Sequence, residues 1–144
     1  MGIAEIVGVL GGKKTFKRPI RKADDLVEQV RAGLPASTVT MLADVLSLHR
    51  EQVAKCLKIS SRTLSRRLAS NSRLTHEESD RTMRMARVVA LVNEVLGAED
   101  KASRWMVAPN RALGGRRPLD QLDTELGVRS VEEVLYAIAY GMYS

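Results

Sequence analysis

Residues 50–68 decide the fold of this chain, and they read REQVAKCLKISSRTLSRRL. Two short segments with helical apolar spacing flank a connection of about three residues, 58–60. Ser47 is the candidate cap of the first helix, and Ser60 or Ser61 that of the second. Two helices that pack closely across so tight a turn need a small residue on the first helix, and Ala54 takes that position. Four apolar residues are placed to close the core between the two helices: Val53, Leu57, Ile59 and Leu64. The stretch therefore predicts a helix-turn-helix.

The turn departs from the usual pattern, because Lys58 stands where a glycine is common. A residue with a Cβ is tolerated there when the turn does not require the left-handed backbone region. The lysine therefore lowers the specificity of the pattern. The helix-turn-helix by itself is a weak indicator of function, since many repressors share it.

The second helix of the motif, predicted from about Ser61 to Ala69, presents a basic and hydroxyl-rich face. Its outward residues are expected to be Ser61, Arg62, Ser65 and Arg66, with Thr63 and Arg67 nearby. Arginine forms bidentate hydrogen bonds with guanine in the major groove, while hydroxyl groups and a helix N-terminus suit phosphate oxygens. Acidic residues are missing from residues 60–75. These features favour operator DNA as a partner; the alternative is an exposed basic helix that contacts nothing.

The rest of the chain predicts an all-α protein with an aliphatic core. Hydrophobic residues make up 44% of the 144 residues, but only one is Phe and one is Trp. A capping box at Thr75 and Glu78 predicts a long helix that ends at Gly97 and joins the two halves. A second capping box, beginning at Ser130, predicts the start of the last helix. We find no strand pattern and no repeat.

Charge divides the chain into two unequal halves. Residues 1–87 carry 17 Lys and Arg against 9 Asp and Glu, whereas residues 88–144 carry 6 against 8. Such asymmetry indicates two partners, one of them polyanionic, although charge kept for solubility is an equal alternative. We expect three regions: a basic, mobile arm over 1–22, a helix-turn-helix region over 23–87 and a partner-binding region over 88–144.

Several functional classes are disfavoured by what the chain lacks. One cysteine, Cys56, and two histidines are too few for an internal disulfide or a usual metal site, so we expect no cofactor and a reducing, cytoplasmic compartment. No apolar run is long enough to span a membrane. The acidic residues Asp120, Asp123 and Glu125 have no nucleophile or histidine beside them, so we expect no enzyme.

The second half of the chain resembles a known family in several separated elements that occur in the right order. These are Trp105, Pro109-Asn110, Ala112-Leu113-Gly114-Gly115, Pro118-Leu119, Leu122-Asp123-Thr124-Glu125-Leu126-Gly127, Val131, Val134 and Tyr140-Gly141. They resemble the toxin-binding module of the Xre/MbcA/ParS antitoxins, and the resemblance covers about residues 25–144.

The resemblance implies a type II antitoxin whose partner is a RES-domain toxin that consumes NAD. It also implies repression of the promoter that both genes share, and a homodimer whose C-terminal module covers the active site of the toxin. In such proteins the last residues sometimes reach into that site. Here they would be Tyr140, Gly141, Met142, Tyr143 and Ser144.

The residues of the second half are compatible with a protein interface. Tyr136, Tyr140 and Tyr143 lie near the C-terminus, and tyrosine is favoured at interfaces, although one or two of these rings finishing the core is the alternative. Three arginines flank the predicted Gly114-Gly115 turn and are candidates for acidic groups on the toxin, or else for a solvated loop: Arg111, Arg116 and Arg117.

Two other functions remain open from the sequence. One is a stand-alone transcription regulator whose second half serves dimerisation or sensing. The other is an antitoxin whose helix-turn-helix no longer binds DNA.

Overall fold

The computed structural model describes residues 2–141, and within that range the chain is all helical. The helices are α1 (Ile3–Val9), α2 (Ala23–Ala32), α3 (Ser37–Leu46), α4 (Arg50–Cys56), α5 (Ser61–Ala69), α6 (His76–Leu96), α7 (Glu99–Val107) and α8 (Glu125–Ala139). Short 3₁₀ turns cover Gly12–Lys14, Arg111–Leu113 and Pro118–Gln121. Extended pairing among the described residues is limited to two isolated bridges, Pro35 with Arg73 and Asn110 with Arg116. The all-α prediction is confirmed.

Helix α6 is the element around which the others pack. It is 21 residues long and begins at the predicted capping box, where Thr75 N donates to Glu78 Oε1 at 2.9 Å and Glu78 N donates to Thr75 Oγ1 at 3.2 Å. It ends at Gly97, as predicted. Helices α1, α2, α3, α7 and α8 all contact it. The long helix therefore packs against elements of both halves of the chain.

The helix-turn-helix forms as predicted in α4 and α5, with one correction at its start. Ser47 does not cap α4; it adopts the left-handed conformation that ends α3. Helix α4 begins after His49, whose backbone N–H donates to Gln52 Oε1 at 2.9 Å. The two-residue shift follows from Leu48, which packs against the core before the new helix begins. Ser60 caps α5 by accepting from Thr63 N, as expected.

The turn itself does require the left-handed backbone region, the case in which a residue with a Cβ is less readily tolerated. Lys58 has a φ of 60°, which places it in that region. The turn needs this conformation because Ile59 N must reach back to the Ala54 carbonyl, at 2.9 Å. Lys58 therefore holds a conformation that glycine adopts more readily.

The last helix begins six residues earlier than the second capping box predicts, after Thr124 instead of Ser130. Thr124 is the cap, and its Oγ1 accepts from Gly127 N at 3.0 Å, while Ser130 lies inside α8 and donates to the Leu126 carbonyl. An ideal Cβ on Gly127 would lie 1.8 Å from the Gln121 carbonyl oxygen. Glycine is needed here because the first turn of α8 lies directly against the preceding 3₁₀ turn.

The N-terminal segment differs from the mobile arm that the sequence predicts. Its apolar residues Ile6, Val9 and Leu10 are buried on one face of α1, which packs on α6 and α3, and Phe16 is buried as well. Short apolar runs with helical spacing fold when a neighbouring helix covers them. Its basic residues, by contrast, are exposed, as expected of solvated lysine and arginine: Lys13, Lys14, Lys17, Arg18, Arg21 and Lys22.

A single apolar core runs through both halves. Val88, Val89 and Val92 of α6 are fully buried, and they belong to one cluster that extends from α1 to α8. The predicted boundary between residues 87 and 88 falls inside this helix. Across residues 2–141, no helix combines the length and hydrophobicity that crossing a membrane requires.

Candidate binding surfaces

The outer face of α5 carries the basic and hydroxyl groups that the motif predicts. Ser61, Arg62, Ser65 and Arg66 are all exposed. Among the described residues, the only ion pair that involves α5 is formed by Arg67, so the guanidinium groups of Arg62 and Arg66 face solvent with their donors uncommitted to carboxylates. A row of this kind on the second helix of the motif has the chemistry to contact base edges and phosphates.

Two of the six predicted contact residues on α5 have structural partners instead. Thr63 Oγ1 accepts from Ser60 Oγ at 2.8 Å, within the helix cap. Arg67 Nη1 donates to Glu78 Oε1 on α6, and only 15% and 13% of the two side chains are exposed. Sequence reasoning places Arg67 beside the basic face but misses this partner, which lies 11 residues further along the chain.

The environment of Glu78 favours the charged carboxylate that pairs with Arg67. Burial favours the neutral acid, but hydrogen bonds from the Thr75 backbone and from Arg67 outweigh it and hold the pKa of Glu78 below its ordinary value. The carboxylate thus stays charged at neutral pH. It caps α6 and anchors α5 at the same time.

The turn of the motif is tied to the rest of the molecule by two further contacts. Arg81 Nε on α6 donates to the Leu57 carbonyl at 2.8 Å. Lys58 Nζ lies 3.5 Å from Asp123 Oδ2, in the second half of the chain. Beside them, burial raises the pKa of the half-buried Cys56 thiol, which makes it a poor nucleophile. The orientation of α5 is therefore set by α6 and by the C-terminal half.

The glycine turn of the second half is a closed loop. Gly114 and Gly115 have φ values of 68° and 83°, as the sequence predicts for a turn that needs positive angles. Asn110 N donates to the Arg116 carbonyl at 3.0 Å, and Gly115 N donates to the Asn110 carbonyl at 2.8 Å. Arg111 and Arg116 are exposed on this loop; Arg116 Nη1 donates to the Leu113 carbonyl at 3.2 Å, so Arg111 is the freer of the two.

Arg117 is placed differently from the other two arginines of the loop. Its Nε and Nη2 donate to the two carboxylate oxygens of Asp120 at 2.7 and 2.8 Å. The hydrogen bonds from Arg117 lower the pKa of Asp120, and the same contact raises the pKa of Arg117. Arg117 is committed within the chain, so it is a weaker candidate for the partner surface than Arg111.

A stripe of exposed side chains runs along the outer face of α8, with a large apolar side chain near each end and a carboxylate between them. Leu126 and Tyr140 are 77% and 79% exposed, and Glu133 lies exposed between them at seven-residue spacing. Fourteen residues of helix extend about 21 Å. Tyr136 is 46% exposed, so its ring does not finish the core. Sequence reasoning misses Leu126, because its position in an apolar-patterned segment is typical of a core residue.

The remaining predicted contacts at the C-terminus are not all described. Gly141 is exposed with a φ of 69°. Met142, Tyr143 and Ser144 lie outside the described residues. Among residues 2–141, no group of three or more His, Cys, Asp or Glu side chains is placed to hold a metal ion.

The molecule thus presents an exposed basic helix in one half and two exposed apolar side chains on α8 in the other, as in a helix-turn-helix protein with a second binding surface. Two family models match it in that order. Residues 25–87 match the antitoxin Xre-like helix-turn-helix domain, and residues 91–141 match the antitoxin Xre/MbcA/ParS C-terminal toxin-binding domain.

Individual relatives agree with these matches. The chain is 40% identical over 116 residues to antitoxin Xre of Pseudomonas putida, covering 78% of this chain and 70% of that protein. It is 32% identical over 132 residues to antitoxin Xre of Photorhabdus laumondii, covering 91% and 89%. A chain of the crystal structure of the MbcT-MbcA toxin-antitoxin complex of M. tuberculosis is similar, with a TM-score of 0.59, 30% identity and coverage of 76% and 96%.

The chain belongs to the Xre/MbcA/ParS antitoxin family. It is an antitoxin of a toxin-antitoxin system, with a helix-turn-helix domain and a toxin-binding domain. The resemblance inferred from the residues of the second half is confirmed.

Proposed function

We propose that this antitoxin neutralises a RES-type, NAD-consuming toxin by covering its active site, and that it represses its own operon by binding operator DNA as a homodimer. The observation that carries the proposal is the exposed stripe of Leu126 and Tyr140, which lies in the region matched by the toxin-binding domain. The relative in the solved complex is itself an antitoxin bound to a toxin. Since operator DNA lies in the cytoplasm, we place the protein there.

On the toxin side, the stripe supplies the kind of residues that dominate interfaces. A large apolar side chain and a tyrosine at the two ends of α8 bury area with little loss of side-chain freedom. The exposed guanidinium groups of Arg111 and Arg116 would meet acidic groups at the edge of the same contact. Residues 140–144 would contribute contacts at the active site of the toxin.

On the DNA side, Arg62 and Arg66 would contact base edges, while Ser61 and Ser65 would contact phosphates. A homodimer would place two copies of α5 in successive major grooves, about 34 Å apart, on a palindromic operator. The matched helix-turn-helix domain and the solvent-facing arginines support this half of the proposal.

The test of the toxin half is co-expression of the tagged chain with the product of the neighbouring gene, measuring complex formation, cellular NAD and growth. We expect a stable complex and rescue of growth. Leu126→Ala and Tyr140→Ala should each weaken the complex by about tenfold or more, the effect that defines an interface anchor. A neighbour that is not toxic and does not bind would contradict the proposal and leave a DNA-binding regulator.

The matched control is Val27→Ala. Val27 is also an exposed aliphatic residue, at 43%, but it lies on α2 in the other half of the molecule. The control should bind the toxin as the parent does. Equal weakening in Val27→Ala and Leu126→Ala would mean that the stripe on α8 is not the toxin-binding surface.

A further inference from the structure

A basic cleft lies at the C-terminal end of α5, apart from the arginines that face outward. It encloses about 600 Å³, and two segments distant in sequence form most of its walls. One wall is residues 14–18 of the N-terminal segment, and the other is the loop 71–73 that follows α5. Ser37, in the first turn of α3, lies between them.

Every charged side chain that lines this cleft is cationic: Lys14, Lys17, Arg18 and Arg73. Within residues 2–141 none of the four forms an ion pair; Arg73 Nη1 donates to the Gly33 carbonyl at 2.7 Å. Hydroxyl groups of Thr15, Ser37 and Ser72 add polar donors or acceptors. Unpaired cations beside hydroxyls are suited to phosphate oxygens.

The loop that forms the second wall is held rigidly against the motif. Ser72 N donates to the Arg67 carbonyl at 2.8 Å, Ala36 N donates to the Ser72 carbonyl at 3.1 Å, and Leu74 N donates to the Leu34 carbonyl at 2.8 Å. The cleft thus has a defined position relative to α5. From Arg62 to Ala69, helix α5 rises about 10 Å, close to the width of the major groove, about 12 Å.

This distance between the two ends of α5 indicates which part of a DNA duplex the cleft would contact. When the N-terminal residues of a recognition helix contact base edges, the C-terminal end of that helix lies close to the sugar-phosphate strand beside the groove. An acidic protein would also suit the charge of the cleft, but the continuity with the outward face of α5, and the lack of acidic residues over 60–75, favour DNA.

We propose that this cleft is a second DNA contact, which binds the backbone phosphates flanking the groove occupied by α5. The proposal rests on the DNA binding proposed above and adds residues 14–18, which lie outside both family-matched ranges, 25–87 and 91–141. The N-terminal segment is then a fixed clamp on phosphate, positioned by the burial of Phe16 and Leu10. It increases affinity without reading sequence.

The test is the salt dependence of DNA binding by the full chain. The variant is K14A/K17A/R18A, and the matched control is K101A/R104A/R129A, which removes the same charge from exposed positions in the second half. The probes are the duplex immediately upstream of the gene and a random-sequence duplex, each of about three helical turns. Both variants are first checked by circular dichroism for an unchanged fold.

Removing one phosphate neutralisation lowers the slope of log K against log salt by about 0.9. We therefore expect the slope to fall by about 2 to 3 for each bound protomer of K14A/K17A/R18A, which is about 5 for a homodimer, on both duplexes, and to stay unchanged in the control. Duplex DNA should also protect Lys14 and Lys17, but not Lys101, from acetylation. An unchanged slope, an equal fall in the control, or impaired toxin neutralisation in place of weaker DNA affinity would overturn the proposal.

The outcomes also distinguish failure of the phosphate cleft from failure of DNA binding as a whole. Failure of the parent chain to bind either duplex would overturn DNA binding as a whole. Normal DNA binding that depends on Arg62 but has the same salt slope in K14A/K17A/R18A would overturn only the phosphate cleft.

Discussion

At the scale of single residues, the arginines of α5 divide by environment rather than by position in the sequence. Arg62 and Arg66 face solvent, whereas Arg67 is paired with Glu78 between two helices. The same residue type therefore serves two purposes on nine residues of helix. The first is the proposed contact with DNA, and the second is stabilisation of the fold.

The first prediction contrasts Arg62→Ala with Arg67→Ala. Arg62→Ala should weaken operator binding by about 10- to 100-fold, the range for removing a bidentate hydrogen bond to a base, and leave the melting temperature unchanged. Arg67→Ala should cost about 2 kcal/mol of unfolding free energy, since a charged hydrogen-bond partner is left behind. That corresponds to a melting temperature lower by about 6 to 8 °C.

Gel-shift titration and thermal unfolding by circular dichroism measure the two effects. Toxin neutralisation by Arg62→Ala should stay at the level of the parent. If Arg62→Ala abolished both DNA binding and neutralisation while still folded, the division of the chain into two binding surfaces would be wrong.

The second prediction concerns pH and the same ion pair. The pKa of Glu78 is lower in the folded chain than its ordinary value of 4.5, so the charged carboxylate stabilises the fold at and above that pH. The stabilisation is lost as the pH falls through the folded-state pKa. Glu78→Gln should therefore be less stable than the parent at neutral pH, by about 2 kcal/mol, and the difference should shrink below about pH 4.5.

Urea unfolding at a series of pH values measures this difference. Glutamine retains an amide oxygen that can accept from Thr75 N, so the helix cap survives and the variant isolates the charge. The double variant R67A/E78Q should be no less stable than R67A alone. A gap between Glu78→Gln and the parent that does not vary with pH would contradict the assignment.

For single residues, the sequence predicts which chemical groups a helix face carries better than it predicts which groups they contact within the fold. The basic face of α5 follows from helical spacing, and so do the exposed Arg62 and Arg66. The pairing of Arg67 with Glu78 does not follow, because it depends on how α6 crosses α5. Exposure of Leu126 escapes prediction for a related reason: only the packing of α8 decides which of its apolar residues faces outward.

At the scale of elements, the turn of the helix-turn-helix carries a strained residue. A residue other than glycine in the left-handed region costs about 1 to 2 kcal/mol, and Lys58 bears this cost at a φ of 60°. Its ion pair with Asp123 is exposed to solvent on the lysine side and contributes little in return.

The third prediction follows from that strain. Lys58→Gly should raise the unfolding free energy by about 1 kcal/mol, because glycine adopts this backbone conformation without the Cβ clash. The matched control is Lys58→Ala, which also removes the ion pair but keeps the strain. Chemical denaturation should rank the glycine variant above the alanine variant, and the reverse order would mean that the turn is not strained.

Element boundaries are predicted well where the signal is local and complete. Both ends of α6 follow from a capping box and a terminal glycine. The start of α8 cannot be predicted in this way, because Ser130 with Glu133 is an equally good local capping signal. Thr124 is the cap only because Gly127 packs against the preceding turn. The folding of α1 is also missed, since its few apolar residues are stable only once α6 covers them.

At the scale of the whole molecule, the two functional halves share one interior. Val88, Val89 and Val92 lie in a helix that contacts both the helix-turn-helix side and the C-terminal side of the core. Arg84 and Arg87 of the same helix add ion pairs to Glu125 and Glu132 of α8. Neither half therefore has a separate hydrophobic core.

The fourth prediction is that the chain unfolds in one cooperative step. Fluorescence of Trp105, which packs against the core in the second half, should change at the same urea concentration as the helical signal of the whole chain. Leu64→Ala creates a cavity in the helix-turn-helix and should lower the unfolding free energy by about 2 to 5 kcal/mol. The midpoints of both signals should move together. Two separate midpoints, or a shift confined to one signal, would show that the halves fold independently.

The shared helix also bears on how long the two activities last in the cell. A protease that cuts within α6, or that captures the unfolded chain, would destroy the common core and so end the proposed repression and the proposed neutralisation together. Release of the promoter and release of the toxin would then share a single half-life, set by one unfolding equilibrium. Variants that stabilise either half, such as Lys58→Gly, should lengthen the survival of both.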